Sequence, residues 1–352
     1  MKVIVTGAAG SIGSRLCRRL AECGVSVLAL DKDRVETAPE VDHRVVDLAT
    51  AKLAPLFGGA DAIVHLGSPF PADAPSTANS AGPLAVAERV FAAAAESGVA
   101  HAIILSTAMV YGAWPNNAVP LTEEAPVRPN PDFAFAVYHA EFERRAFEWR
   151  AENANATLAV LRPVPLVADE QPSRSASLLR SVATVRTDEG DAPAQYLHVD
   201  DLVEAVIVAL RAHIDGVLNV APDGWISPET LGLLAYPGPR PMLPRRAVDA
   251  LAKIRWRFGL AGAPPGLVPY TVHPWVVGND RLRSLGWQAS NTNEEAYVLG
   301  HQPTPLDKLT SRRRQQITLG IAGGVVAAVA SVAVGLILRR ARRQRRINAW
   351  RA

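Results

Sequence analysis

Short, uninterrupted apolar runs rich in Val, Ile and Leu recur along the first half of the chain. They are KVIVT from Lys2, VSVLAL from Val25, DAIVHL from Asp61, HAIILST from His101 and TLAVLRP from Thr157. Amphipathic segments separate them. From Ser11 to Cys23, Ile12, Leu16 and Leu20 follow the i, i+4, i+8 spacing of one helix face, and Gly24 stands where a helix would stop. A second helix is predicted from about Leu84 to Ser97, with Val86, Val90 and Phe91 turned inward and Gly98 as terminator. Apolar strands that do not alternate, interleaved with amphipathic helices, predict a parallel sheet covered on both faces. The fold class is α/β, a doubly wound parallel sheet.

After Pro163 the pattern degrades. Residues 167–194 and 226–300 are rich in Pro, Arg and loops, whereas QYLHVDDLVEAVIVAL from Gln195 and GVLNVA from Gly216 return to regular structure. These shifts predict a nucleotide-binding domain over residues 1–166, rejoined by 195–225. A smaller, interleaved substrate lobe takes most of 167–300.

Residues 317–338 contain no charge, and as a helix would reach about 33 Å, enough to cross the hydrocarbon region. A C-terminal transmembrane helix is expected there, after a linker over 301–316 and before a basic tail over 339–352. Net charge is +3, but residues 301–352 hold eleven Lys or Arg and one acid, Asp307. The alkaline character therefore sits in the tail, where it suits anionic lipid rather than nucleic acid. Gly320, Gly324 and Ala328 have the four-residue spacing that permits helix self-association, so a homodimer is conceivable. Seven basic residues follow the span and four precede it, which favours a cytoplasmic tail. The expected setting of the folded domain is nonetheless the cytoplasm, with a single pass at the C-terminus. A strand starting at Lys2 leaves no room for a secretory signal. The two cysteines, Cys17 and Cys23, lie on different faces of one helix and exclude a disulfide framework.

TGAAGSIG, from Thr6 to Gly13, links the first strand to the first helix. Gly7 permits the turn, Gly10 lets backbone approach a pyrophosphate, and Gly13 lets helix and strand pack closely, with Ser11 and Ile12 opening the helix toward the anion. Asp31 ends the second strand, where a carboxylate accepts adenosine ribose hydroxyls and repels a 2′-phosphate. NAD is favoured over NADP.

These residues resemble the extended short-chain dehydrogenases/reductases, the NAD-dependent epimerase/dehydratase group that acts mainly on nucleotide sugars. The likeness covers roughly residues 1–300. VDLA supplies Asp47 and Leu48, which the resemblance assigns to adenine. HLGS at His65, Asn79 with Gly82, STAMVYG, LRP at Leu161, HVDD at His198, RLRSLGW and NEEA follow in the family's order.

In that family the catalytic helix reads Y-x-x-x-K with a glutamate four residues on. Aligning Glu143 with that glutamate puts Phe135 at the tyrosine and His139 at the lysine, and Tyr138 takes the family's serine position. Tyrosine serves as the proton acceptor, and lysine lowers its pKa and holds the nicotinamide ribose. Phe135 has no proton to exchange. Thr107 keeps the substrate-binding hydroxyl, His139 can still bond a ribose hydroxyl, and Tyr138 is a candidate substitute base, although packing is its commoner role. Tyr111 and His65 read as scaffold, and His198 with Asp200 and Asp201 as a helix cap. The histidines show no metal-ligand spacing. Three functions remain open: a membrane-held NAD-dependent enzyme of nucleotide-sugar or related metabolism, a dinucleotide-binding sensor or scaffold without turnover, and a 3β-hydroxysteroid dehydrogenase-like enzyme.

Overall fold

The computed structural model describes residues 1–34, 38–66, 82–169, 174–183, 185–235, 240, 242–260 and 262–300. The first half runs β1 (Lys2–Thr6), α1 (Ser11–Glu22), β2 (Ser26–Asp31), β3 (Asp42–Val45), α2 (Ala54–Phe57), β4 (Ala62–His65), α3 (Pro83–Glu96), β5 (His101–Leu105), α4 (Ala134–Glu152) and β6 (Thr157–Pro163). The rest runs β7 (Leu166–Val167), α5 (Arg174–Val182), β8 (Arg186–Thr187), β9 (Leu197–His198), α6 (Val199–Arg211), β10 (Gly216–Val220), α7 (Pro228–Ala235), β11 (Met242–Leu243), α8 (Arg245–Arg257), α9 (Asp280–Ser284) and α10 (Asn293–Leu299).

Seven strands form one parallel sheet in the order β10-β6-β5-β4-β1-β2-β3. The five apolar runs are its central strands, and they are buried because helices cover both faces. On one side α1 and α6 contribute Leu16, Leu20, Val203 and Ile207 to the core. On the other, α3 and α4 contribute Val90, Phe91, Phe142 and Trp149. Val86 is only half-buried. Gly24 follows α1 at φ +74°, the left-handed conformation that ends a helix at little cost for glycine. The edge strand β3, DHRV, is short and mostly exposed; charge there discourages pairing with another chain.

The segment from Gln195 crosses back, and β10 pairs with β6, Val217 opposite Val160. α6 lies beside α1, joined by Arg15–Asp200 at 2.9 Å and Arg19–Glu204. His198 caps α6, accepting from the Asp200 N–H, and Asp201 accepts from the Ser290 hydroxyl at 2.6 Å. The chain order reverses at β1, which has β2 on one side and β4 on the other, and a crevice opens beyond the carboxyl ends of these strands. Among the described residues no helix is long and apolar enough to cross a membrane. The linker over 301–316, the expected span over 317–338, the tail over 339–352 and Asn79 lie outside them.

Candidate active site

β1 ends at Thr6, and the loop behind it is held by β2: the Gly7 and Ala8 N–H groups donate to the Leu30 carbonyl at 3.1 and 3.4 Å. Gly7 takes φ +76°. Gly13 is packed so closely that a Cβ would lie 2.4 Å from the Gly7 oxygen and 2.6 Å from the Ala8 Cα. At Gly10 the nearest such atom is 3.4 Å away, so the loop there is open on its outer side. Gly10 is the N-cap of α1 and supplies no side-chain cap, and Ser11 and Ile12 form the first turn. Such a helix start is a site for an anion.

Asp31, at the carboxyl end of β2, takes the Ala9 N–H on Oδ2 at 2.9 Å and the Asp33 N–H on Oδ1 at 3.1 Å. One carboxylate thus orders the glycine loop and stands half-exposed beside it, with lone pairs left for hydroxyls. Asp47 accepts the Ala49 N–H at 2.9 Å and the Thr50 hydroxyl at 3.2 Å. Its side chain braces its own turn, and Leu48 packs its side chain against the core while its carbonyl accepts from Arg89 Nε. The open Gly10 cradle and the acid at the end of β2 fit a dinucleotide.

Ile12 leads from the loop into a cleft of about 210 Å³. Thr107, Ser106, Phe135 and His139 line it, with Pro163 to Leu166 opposite and Arg174 at one side. Thr107 follows β5, and its hydroxyl oxygen accepts from the Met109 N–H at 3.3 Å, which leaves its own proton to donate. His139 is 3% exposed, and its ring meets the ring of Phe135 edge-on. Burial pulls its pKa down to about 3, so the imidazole is neutral near pH 7. Tyr138 does not line the cleft. A helix turns 100° per residue, and Tyr138 consequently stacks on Phe142, 6.2 Å between centroids at 11°, against the other core layer. The structure therefore brings Thr107 and His139 to one cleft wall, and Tyr138 lies outside that lining with its ring edge-on to His139 at 5.2 Å.

Beneath the cleft lies a buried ionic network not evident from the sequence. Arg162, near the end of β6, donates to both oxygens of Glu143, Nε to Oε1 at 3.0 Å and Nη2 to Oε2 at 2.6 Å. It also donates to the Tyr111 hydroxyl at 2.8 Å, which donates to Asn219 at 2.8 Å. The Ser106 hydroxyl donates to Glu143. Burial raises the Tyr111 pKa, which keeps the phenol neutral despite its cationic neighbour. His65 is likewise internal: its Nδ1 shares a 2.6 Å hydrogen bond with Thr6 Oγ1, and burial lowers its pKa to about 4.

Residues 3–221 match the model of the NAD dependent epimerase/dehydratase family. The chain belongs to that family. A UDP-glucose 4-epimerase of Corynebacterium glutamicum is 26% identical over 284 residues, spanning 71% of this chain and 85% of that protein. An uncharacterized protein of Mycobacterium tuberculosis is 26% identical over 330 residues, 86% of this chain and 85% of its own length. Among solved structures, MoeE5 in complex with UDP-glucuronic acid and NAD superposes with a TM-score of 0.64 at 21% identity, covering 85% of this chain and 97% of that one. A UDP-glucose 4-epimerase of Thermus thermophilus, complexed with NAD, gives 0.62 at 21% identity with the same coverage. At such identities the structural likeness speaks for the fold. Helix α4 contains one tyrosine, Tyr138, and no lysine.

Proposed function

We propose that the chain is a membrane-held, NAD-dependent oxidoreductase of the epimerase/dehydratase type that acts on a nucleotide sugar or a related substrate. One observation carries the reading. Asp31 holds the Ala9 N–H of the glycine loop, Gly10 leaves that loop open, and Ile12 of the same loop lines the cleft that holds Thr107 and His139. Gly7, Gly10, Ser11, Ile12 and Gly13 would hold the diphosphate, Asp31 the adenosine ribose, and Asp47 and Leu48 the adenine edge. When bound, NAD supplies a hydride acceptor.

Thr107 donates its free proton to a substrate oxygen and fixes the reacting carbon. His139 bonds a ribose hydroxyl through a neutral imidazole. It cannot provide the positive charge that a lysine would, and with a pKa of about 3 it is a feeble base. Phe135 fills the tyrosine position with a ring that neither takes nor gives a proton. In this reading proton acceptance does not run through α4 and falls to the substrate or to water. Residues 317–338 serve as the anchor, with the domain on the cytoplasmic side.

The same apolar substitution favours a second reading, NAD binding without turnover. Calorimetry on the full chain with NAD and NADP, followed by nicotinamide absorbance with UDP-sugars, separates the two. The apolar walls of the cleft justify adding hydroxysteroids to the panel. Tight NAD binding with reduction or epimerisation supports the enzyme; tight binding with neither leaves the sensor; no binding of either coenzyme removes both.

A further inference from the structure

Among the described residues, helix α8 turns one face into the protein and leaves the other exposed. Val248 is buried, and on the same inner side Arg245 holds Asp249 at 3.0 Å while its backbone N–H donates to Asp188 at 2.8 Å. Outward, Leu251, Ile254 and Phe258 follow at i, i+3 and i+7 and are 43%, 54% and 69% exposed, with Leu260 beyond them at 68%. Spacing of this kind forms a stripe along a helix. Arg246, Lys253 and Arg257 flank the stripe on one side and Arg255 on the other. The single acid of the helix, Asp249, is already bonded to Arg245, and Lys253 has an exposed ion pair with Asp132 at 3.8 Å. Beside the stripe a groove of about 160 Å³ opens between α8 and α5, with Leu251, Leu260 and Val182 in its wall and Arg255 among them.

Exposed apolar side chains in a contiguous row mark an interaction surface. A row edged by cations with long aliphatic stems matches a bilayer interface, where the row enters the acyl boundary and the cations meet headgroup phosphates. We infer that α8 lies in the plane of an anionic lipid surface, with Leu251, Ile254, Phe258 and Leu260 immersed and Lys253, Arg255 and Arg257 on the headgroups. Only sixteen residues, 301–316, separate the end of the described chain from the charge-free run at 317–338. Such a linker reaches at most about 55 Å when extended. The inference stands apart from NAD binding and rests in part on the proposed anchor at 317–338.

The test places a nitroxide on the full chain at Ile254→Cys, in a Cys23→Ser background, with Glu96→Cys as an aqueous control. In mixed phosphatidylcholine–phosphatidylglycerol vesicles the label at 254 should gain oxygen accessibility several-fold and lose collisions with a soluble nickel complex, while the control stays aqueous. In pure phosphatidylcholine it should stay aqueous. Lys253→Glu with Arg257→Glu should return it to water even while the chain still sediments with the vesicles through its tail. A label that stays aqueous on anionic vesicles overturns the inference. So does one shielded without lipid, which would mean that a second copy or the chain's own tail covers the stripe. Shielding that ignores lipid charge, or that survives the double reversal, overturns it as well.

Discussion

Gly13 sits so close to Gly7 that a side-chain carbon on it would lie 2.4 Å from the Gly7 carbonyl oxygen. Backbone cannot yield there without lifting α1 from β1. Gly13→Ala should therefore cost about 1–3 kcal/mol of stability, read as a lower urea midpoint. Gly10→Ala meets nothing closer than 3.4 Å and should fold normally while losing NAD affinity. Equal stability losses in the two variants would contradict the distinct roles assigned to the two glycines.

Asp31 orders the loop and, in the proposed reading, also holds the ribose. Asp31→Asn keeps an acceptor for the Ala9 N–H but removes the charge. NAD affinity should fall about tenfold or more, since a charge-assisted hydrogen bond contributes roughly 1.5–3 kcal/mol. Discrimination against NADP should shrink, because nothing then repels the 2′-phosphate. Calorimetric titration of both coenzymes measures this, and an unchanged NAD/NADP ratio would remove Asp31 from the ribose site.

The five apolar runs were legible as strands because burial on both faces leaves no polar position to blur them. The Gly24 and Gly98 stops were legible because a left-handed residue at a helix end favours glycine. β3 was not, since DHRV is an exposed edge that pairs through backbone alone. The Glu143–Arg162 pair joins residues nineteen apart, on α4 and β6, and only the fold brings them within reach. Tyr138 shows the reverse limit: the sequence puts it on the same helix as His139 and Glu143, whereas its stacking on Phe142 is set by packing.

Removing one partner of a buried pair leaves the other charge uncompensated. Arg162 and Glu143 each have side chains 3% exposed. Glu143→Gln should cost about 3–5 kcal/mol, and Arg162→Met in the same chain should recover much of it. Chemical denaturation of the single and double variants decides this; a double variant no more stable than Glu143→Gln would deny that an uncompensated charge is the cause.

Three buried histidines couple stability to pH. Burial lowers the pKa of His139 to about 3 and of His65 and His101 to about 4, against an ordinary value near 6.5. Between about pH 4 and 6.5 the unfolded chain binds protons on them that the folded chain refuses. Stability is thus full above pH 6.5 and falls as pH drops, with a slope of up to about 4 kcal/mol per pH unit from the three together. His139→Leu removes one such group and should cut that slope by about a third in urea midpoints measured from pH 6.5 to 4.5. An unaltered slope would mean that His139 is not the buried neutral group described.

Phe135 and His139 stand with ring centroids 4.5 Å apart at the cleft wall, in the positions that aligning Glu143 assigns to the family's tyrosine and lysine. Phe135→Tyr adds only a hydroxyl to a half-buried ring that already faces the cleft. His139→Lys adds an ammonium beside it, which lowers the phenol pKa by direct charge and helps to offset its own burial. A positioned general base contributes about 10²–10⁴-fold in rate. If NAD and substrate already dock as proposed, the double variant should raise nicotinamide reduction with the accepted UDP-sugar by at least about a hundredfold, and Phe135→Tyr alone by less. His139→Lys alone should add little, because it creates no proton acceptor. A double variant that binds NAD as the parent does yet gains no turnover would show that the cleft no longer brings a reactive hydroxyl to this wall, and would leave binding without chemistry as the function of the site.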